Sequence, residues 1–232
     1  MEEIGLKIIA RLYSDFETKF ALPRQSGSTE HISVIRFEPE FRNKDAVRGL
    51  EGFSHLWLVW HFSEIGEHAW SPTVRPPRLG GNRRVGVFAS RSPFRPNPVG
   101  LSSVEIDRID LSAPAAPLIY VRGADLMNGT PIFDIKPYLP FSDAHPEASG
   151  GYAETRKEYS IGVRWMPDTK EALSESERKT LEAVLSQDPR PAYHEDEREY
   201  GFFFAGREIS FYVRDGAAIV TSVRKREHND NS

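Results

Sequence analysis

His55-Leu-Trp-Leu-Val-Trp-His-Phe62 is apolar nearly throughout and carries no Gly or Pro. A strand with this content belongs at the middle of a sheet, covered on both faces. Segments of similar kind lie on either side of it. Ile4 to Leu12, His31 to Phe37, Val85 to Ser90, Leu101 to Arg108, Leu118 to Gly123 and Ile132 to Ile135 are short and rich in β-branched or aromatic residues. Gly, Pro and Asn clusters punctuate them, as expected between strands. The only helix candidate in this region, Lys44 to Leu50, is short. Many short strands with little helix between them predict a closed or nearly closed β-barrel.

Composition shifts after Leu139-Pro140. Asp143 to Glu158 is polar around Gly150-Gly151 and reads as a linker or exposed loop. Ser174-Glu-Ser-Glu177 is a capping box, and Leu181, Val184 and Leu185 supply the apolar face of a helix that Asp188-Pro189 stops. Phe202 to Arg214, the turn Asp215-Gly216 and Ala217 to Val223 predict a hairpin, and Lys225 to Ser232 a frayed tail. The expected organisation is mainly β: a barrel over 1–142, a linker over 143–158 and a small α+β unit over 159–232.

A chain of 232 residues, 39% hydrophobic and 28% charged, can bury a core without staples. It contains no cysteine, which excludes disulfides, thiolate metal sites and a catalytic thiol. No signal-peptide pattern follows Met1, and no apolar run approaches the roughly 18 residues of a membrane span. The cytoplasm is the expected setting. The net charge of −4 is unevenly spread. From His68 to Val104 there is no Asp or Glu, while Arg75, Arg78, Arg83, Arg84, Arg91 and Arg95 give that window +6 and leave −10 for the rest. An arginine patch on an acidic chain suits phosphate, carboxylate or a nucleic-acid backbone; solvated surface arginines paired with acids from other segments are the alternative.

Two segments carry more special residues than ordinary connections need. In Arg75 to Leu101, Pro93, Pro96 and Pro98 stiffen a loop, while Gly80, Gly81 and Gly100 allow sharp turns or close approach. Such a loop can preorganise Arg91, Arg95 and Asn97 around a polar ligand; a rigid barrel-closing loop is the plainer reading. In Ala124 to Pro140, Asn128-Gly129 signals a turn leading through Thr130-Pro131 into a strand. Asp134 and Lys136 share one face of that strand, which favours an ion pair. Phe20 to Gly27 is a weaker signal, a loop with Arg24 and Gln25 at its tip. His55 and His61 read as hydrogen-bonded core residues. Metal spacing, G-x-S-x-G, a P-loop and G-x-G-x-x-G are all missing, so neither a metal nor a conventional dinucleotide site is expected.

Gly49-Leu-Glu-Gly-Phe-Ser-His-Leu-Trp57, Arg75-Pro-Pro-Arg-Leu-Gly-Gly-Asn82, Arg91-Ser-Pro-Phe-Arg-Pro-Asn-Pro-Val-Gly100 and Asp134-Ile-Lys-Pro-Tyr-Leu-Pro140 resemble the TrmO/TsaA-like family. Pro23-Arg-Gln25 and Gln187-Asp-Pro-Arg-Pro-Ala-Tyr193 also match, in the same order. The resemblance implies a small antiparallel barrel that binds S-adenosylmethionine, a C-terminal appendage and a homodimer. It implies N6-methylation of N6-threonylcarbamoyladenosine at position 37 of threonine tRNA. The implied donor site is Gln25, Ser26, Gly27, Ser63, Glu64, Arg91, Leu101, Asn128, Gly129, Thr130 and Pro131. The family often has His followed by Gln or Asn where this chain has Ser63-Glu64, and Asp where it has Asn128; backbone contacts survive both changes.

In-line transfer from a sulfonium to nitrogen depends above all on positioning. The acceptor nitrogen is part of a urea-like group and is a poor nucleophile until it loses its proton. Asp134 is the candidate base, with a structural ion pair as the alternative. Arg91 is assigned to the donor carboxylate, and Arg95, with Arg84, Asn97 and Lys136, to the RNA. Arg190 and Tyr193 of the C-terminal unit would hold tRNA or brace the dimer. Two other readings stay open: a methyltransferase of the same fold with another substrate, and a non-catalytic nucleotide- or RNA-binding module.

Overall fold

The computed structural model describes residues 2–66, 70–76, 83–156, 160–190 and 198–226. In chain order the first unit contains β1 (Ala10–Tyr13), β2 (Ile32–Phe37), β3 (His55–His61), β4 (Thr73–Val74), β5 (Val85–Gly86), β6 (Val99–Asp110), β7 (Leu118–Arg122) and β8 (Thr130–Pro137). Six of these close into an antiparallel barrel in the order β1-β2-β7-β6-β3-β8, with β8 returning to β1. The remaining two, β4 and β5, form a separate two-stranded ribbon. The expectation of a barrel is met.

Strand β3 lies between β6 and β8, as its apolar sequence requires. Its side chains nevertheless alternate: Leu56, Leu58 and Trp60 are buried in the barrel, while His55, Trp57, Val59 and His61 are half-buried outside. The period is masked in the sequence because the outer face is covered too. Trp57 Nε1 donates to Asp143 Oδ2 at 2.7 Å, and the Trp57 ring lies 5.6 Å from Tyr138. Ala10, Leu12, Ile35, Val104, Ile119, Val121 and Ile132 complete the barrel core.

Three expectations need correction. Ile4 to Leu12 is a strand only from Ala10, and Ile4 is 85% exposed. One neighbour runs out there: Ala10 pairs with Phe37, the last residue of β2, after which Pro39 opens a 3-10 turn, while β8 continues past Ile132 beside β3. Lys44 to Leu50 is two 3-10 turns, Lys44–Val47 and Leu50–Gly52, separated where Gly49 adopts φ 87°. Val85 to Ser90 pairs only over Val85–Gly86 and then turns into a 3-10 segment, Val87–Ala89.

The second unit follows α1 (Pro140–Asp143) and contains β9 (Gly162–Trp165), α2 (Glu175–Ser186), β10 (Tyr200–Phe204), β11 (Arg207–Arg214) and β12 (Ala217–Lys225). Its sheet runs β10-β11-β12-β9, with β9 parallel to β12. Both halves of the Ser174 capping box are made, Ser174 N donating to Glu177 Oε2 at 2.6 Å and Glu177 N to Ser174 Oγ at 3.3 Å. Phe202 to Arg214 is not one arm: Ala205 and Gly206, at φ 50° and 68°, turn β10 back into β11. Of the tail expected to fray from Lys225, Lys225 instead ends β12 and Arg226 bonds Glu17 at 3.0 Å, and residues 227–232 lie outside the described residues. Phe16 and Ala21, from the connection between β1 and β2, are buried in the core of this second unit beside Phe204 and Leu185.

Candidate functional site

The strand order brings the ends of β1, β3 and β7 and the starts of β2, β6 and β8 to one mouth of the barrel. A cavity of about 600 Å³ opens there, within the range of small-ligand sites. Lys19 and residues 22–25, the end of β3 through Ile65, the loop from Ser90 to Asn97, the start of β6 and the turn after β7 line it.

Two close approaches shape this mouth. A Cβ on Gly123 would lie 2.6 Å from the Thr29 carbonyl and 3.1 Å from Gly27 Cα, so only glycine lets the turn carrying Gln25, Ser26 and Gly27 lie against the end of β7. Gly27 N then donates to the Gly123 carbonyl at 2.8 Å. At Gly100 a Cβ would lie 2.2 Å from the Trp60 ring, so the indole packs directly on the β6 backbone.

The proline-stiffened loop holds Arg95 by its own backbone and Arg91 through the Gln25 side chain. Arg95 Nη1 donates to the carbonyls of Ser90 at 3.1 Å and Ser92 at 3.4 Å, and Arg91 Nη1 donates to Gln25 Oε1 at 3.1 Å. Phe62 N donates to the Pro98 carbonyl at 3.0 Å, tying the end of β3 to the same loop. Ser63 and Glu64 lie exposed on a 3-10 turn, where Lys19 Nζ bonds the Glu64 carbonyl.

Of the residues expected to serve a donor or substrate, the structure gathers Gln25, Ser63, Glu64, Arg91, Arg95, Asn97, Leu101 and Thr130 around this cavity. Ser26 and Gly27 flank it in the same turn as Gln25. Asn128, Gly129 and Pro131 are built into the adjoining wall: Asn128 Oδ1 accepts from Ser14 N at 3.3 Å, Gly129 N donates to the Leu12 carbonyl at 2.8 Å, and Pro131 pairs with Arg11. Asp134 and Lys136 are not among the lining residues. They form a 2.8 Å ion pair with side chains 46% and 66% exposed, the plainer of the two readings of that pair. Arg84 also stands apart, donating to Thr73 Oγ1 at 2.9 Å across the β4-β5 ribbon. Arg78 and Asn82 of the Arg75 motif, and Tyr193, lie outside the described residues. Arg190 is nearly buried in a two-pronged bond to Asp188, at 2.8 and 3.0 Å. The cavity reaches this segment through Arg24, which lines it and bonds the Asp188 carbonyl, and whose N–H donates to Gln187 Oε1 at 3.3 Å.

One lining group was not singled out in the sequence. Asp125 lies between the buried Ala124 and Leu126, and its Oδ1 accepts from Ser102 Oγ at 2.6 Å. Trp60 Nε1 donates to the same Ser102 oxygen at 3.0 Å. Indole N–H can only donate, so Ser102 accepts there and its own hydrogen is committed to Asp125. Burial raises the Asp125 carboxyl above the ordinary aspartate range, partly countered by Ser102, the backbone N–H of Ser26 and the charge of Arg91. Its only signal in the sequence is an acid between apolar residues just ahead of a turn.

Against this geometry stand the similarities to known proteins. The tRNA-methyltransferase O N-terminal domain matches residues 11–144, and the TrmO C-terminal domain matches 158–226. A tRNA (adenine(37)-N6)-methyltransferase of Escherichia coli is 38% identical over 97% of each chain. A putative S-adenosylmethionine-dependent methyltransferase of Pseudomonas aeruginosa is 38% identical over 83% of this chain and 85% of its own. The crystal structure of TrmO from Pseudomonas aeruginosa superposes with a TM-score of 0.78 at 29% identity, covering 96% of this chain and 98% of that one. Barrel, mouth and appended sheet together define a tRNA methyltransferase built on a closed β-barrel rather than on a Rossmann sheet. The chain belongs to the TrmO family.

Proposed function

We propose that this protein transfers the methyl group of S-adenosylmethionine to N6 of adenosine 37 in tRNA, and that its natural acceptor is the N6-threonylcarbamoyl form in threonine tRNA. The observation that carries the reading is the cavity at the barrel mouth, where Gln25, Arg91, Leu101 and Thr130 meet although they come from four separate stretches of chain. The cavity fits the donor in size and character. Leu22, Phe62, Leu101 and Met127 offer apolar cover, while Gln25 and the exposed Arg91 offer a hydrogen-bonding group and a charge for a carboxylate. The donor would supply an activated methyl group there; the residues of the chain bind, orient and exclude water around it. Arg95 and Asn97 on the same rim would face the RNA. Family resemblance adds a homodimer and a cytoplasmic setting to the proposal. No described helix is long and apolar enough to cross a membrane.

The deciding experiment is methyl transfer from labelled S-adenosylmethionine to threonine tRNA with and without its threonylcarbamoyl group. Label on the carbamoylated tRNA alone is the expected result. Donor binding without label on either tRNA would move the acceptor elsewhere, and absence of donor binding would overturn the reading.

A further inference from the structure

Resting on that reading, we propose that Asp125, on the floor of the cavity, is the base that takes the proton from the acceptor nitrogen during methyl transfer. Asp125 and Glu64 are the acidic side chains among the described residues that line the cavity. Glu64 lies on an exposed turn at the rim, whereas Asp125 is held from below by the Ser102 hydroxyl, itself held by the Trp60 indole. The chain Trp60 to Ser102 to Asp125 runs in one direction only, because its first member cannot accept and its last, as a carboxylate, cannot donate. Such an arrangement orients the carboxylate, and its two oxygens offer about four acceptor sites, enough to take an incoming N–H beside the bonds from Ser102 and the Ser26 backbone. Asp134 has no comparable placement, being paired with Lys136 away from the lining.

The step balances without another reactant. The N–H bond breaks and its proton passes to Asp125. The electron pair left on nitrogen forms the bond to the methyl carbon. The carbon–sulfur bond breaks with its pair returning to sulfur, so the sulfonium charge is lost and a neutral thioether leaves. Carboxylate and sulfonium are both neutralised as the amide-like nitrogen gains its methyl group. A base with a raised pKa is also a stronger one, which suits a weakly acidic urea nitrogen.

The test compares the wild-type protein with Asp125→Asn and Ser102→Ala. Donor affinity is read by calorimetry, and kcat by single turnover on carbamoylated threonine tRNA across pH. Asp125→Asn keeps size and hydrogen-bonding shape but cannot take the proton. The expected result is a fall in kcat of about 10²- to 10⁴-fold, with donor Kd within a few-fold of wild type. The wild-type rate should fall on the acidic side as Asp125 is protonated, and this limb should be missing from the variant. Ser102→Ala removes a hydrogen bond that favours the ionised form, so it should move the limb to higher pH, a change that lost packing alone would not produce. Wild-type kcat in Asp125→Asn would overturn the assignment, as would a loss of donor affinity equal to the loss of rate. If the wild-type protein itself fails to methylate the tRNA, the functional reading fails first, and the two failures are thereby distinguished.

Discussion

His31 precedes β2 and is buried against the edge of Phe16, ring centres 4.9 Å apart, with Nδ1 2.8 Å from Thr29 Oγ1. Burial lowers its pKa from 6.5 to about 4, so folding favours the neutral ring. The resulting stability is complete above pH 6.5 and drains away as pH falls towards 4, to the extent of roughly 3 kcal/mol. Thermal melts at pH 7 and pH 5 should show the loss, and His31→Leu should flatten it. An unchanged pH slope in that variant would place the acid sensitivity elsewhere. A different single-residue effect is expected at Arg95. Arg95→Ala should weaken tRNA binding and reduce the slope of log affinity against log salt by about one; an unaltered slope would leave Arg95 only its contacts to the Ser90 and Ser92 carbonyls. At this scale the sequence was legible where a motif marked the residues, as for Gln25, Arg91 and Arg95, which the structure gathers around one cavity. It was illegible where a residue's placement depends on packing partners. Asp134 and Asp125 are both acids beside apolar residues, and only the fold puts one on an outer wall and the other over Ser102.

Elements were legible in proportion to how local their causes are. The N-terminus of α2 follows from residues three apart and was readable to the hydrogen bond. β1 was not, because its start depends on where β2 stops, which no property of Ile4 to Ile9 records. β3 shows the intermediate case, with an identity clear from content and a face pattern hidden by its outer cover. β6 offers a sharp test of packing at the element scale. Gly100→Ala would drive a methyl group into the Trp60 ring, which is 8% exposed and has little room to retreat. We expect a loss of about 1–3 kcal/mol, a shift in tryptophan emission and a fall in methyl transfer as Ser102 loses its indole donor. Wild-type stability with wild-type activity would mean that β6 can withdraw from β3 at no cost.

Over the whole molecule, barrel and appendage are chemically one object at the mouth. Phe16 contacts Phe204 at 5.1 Å between ring centres, its carbonyl accepts from Asn128 N at 2.8 Å, and the neighbouring Asp15 carbonyl accepts from Ala205 N at 2.9 Å. Phe16→Ala should therefore cost about 3–5 kcal/mol, and amide exchange should quicken both at the turn before β8 and along β10. Faster exchange on one side alone would show that the units are stabilised separately. The barrel as an architecture was legible from many short strands, and the appendage from a change in composition. Their shared core was not, because the residues that join them, Phe16 and Ala21, sit between two barrel strands, far in sequence from the appendage, and look like any apolar residues of a loop. That join bears on how such proteins can be recombined. A chimera cut in the polar stretch 143–158 would separate each appendage from the segment it was fitted to and leave Arg24 facing a foreign partner for Gln187 and Asp188. The transplantable piece is discontinuous: residues 14–24 travel with the C-terminal half, or the graft fails at the seam before any question of catalysis arises.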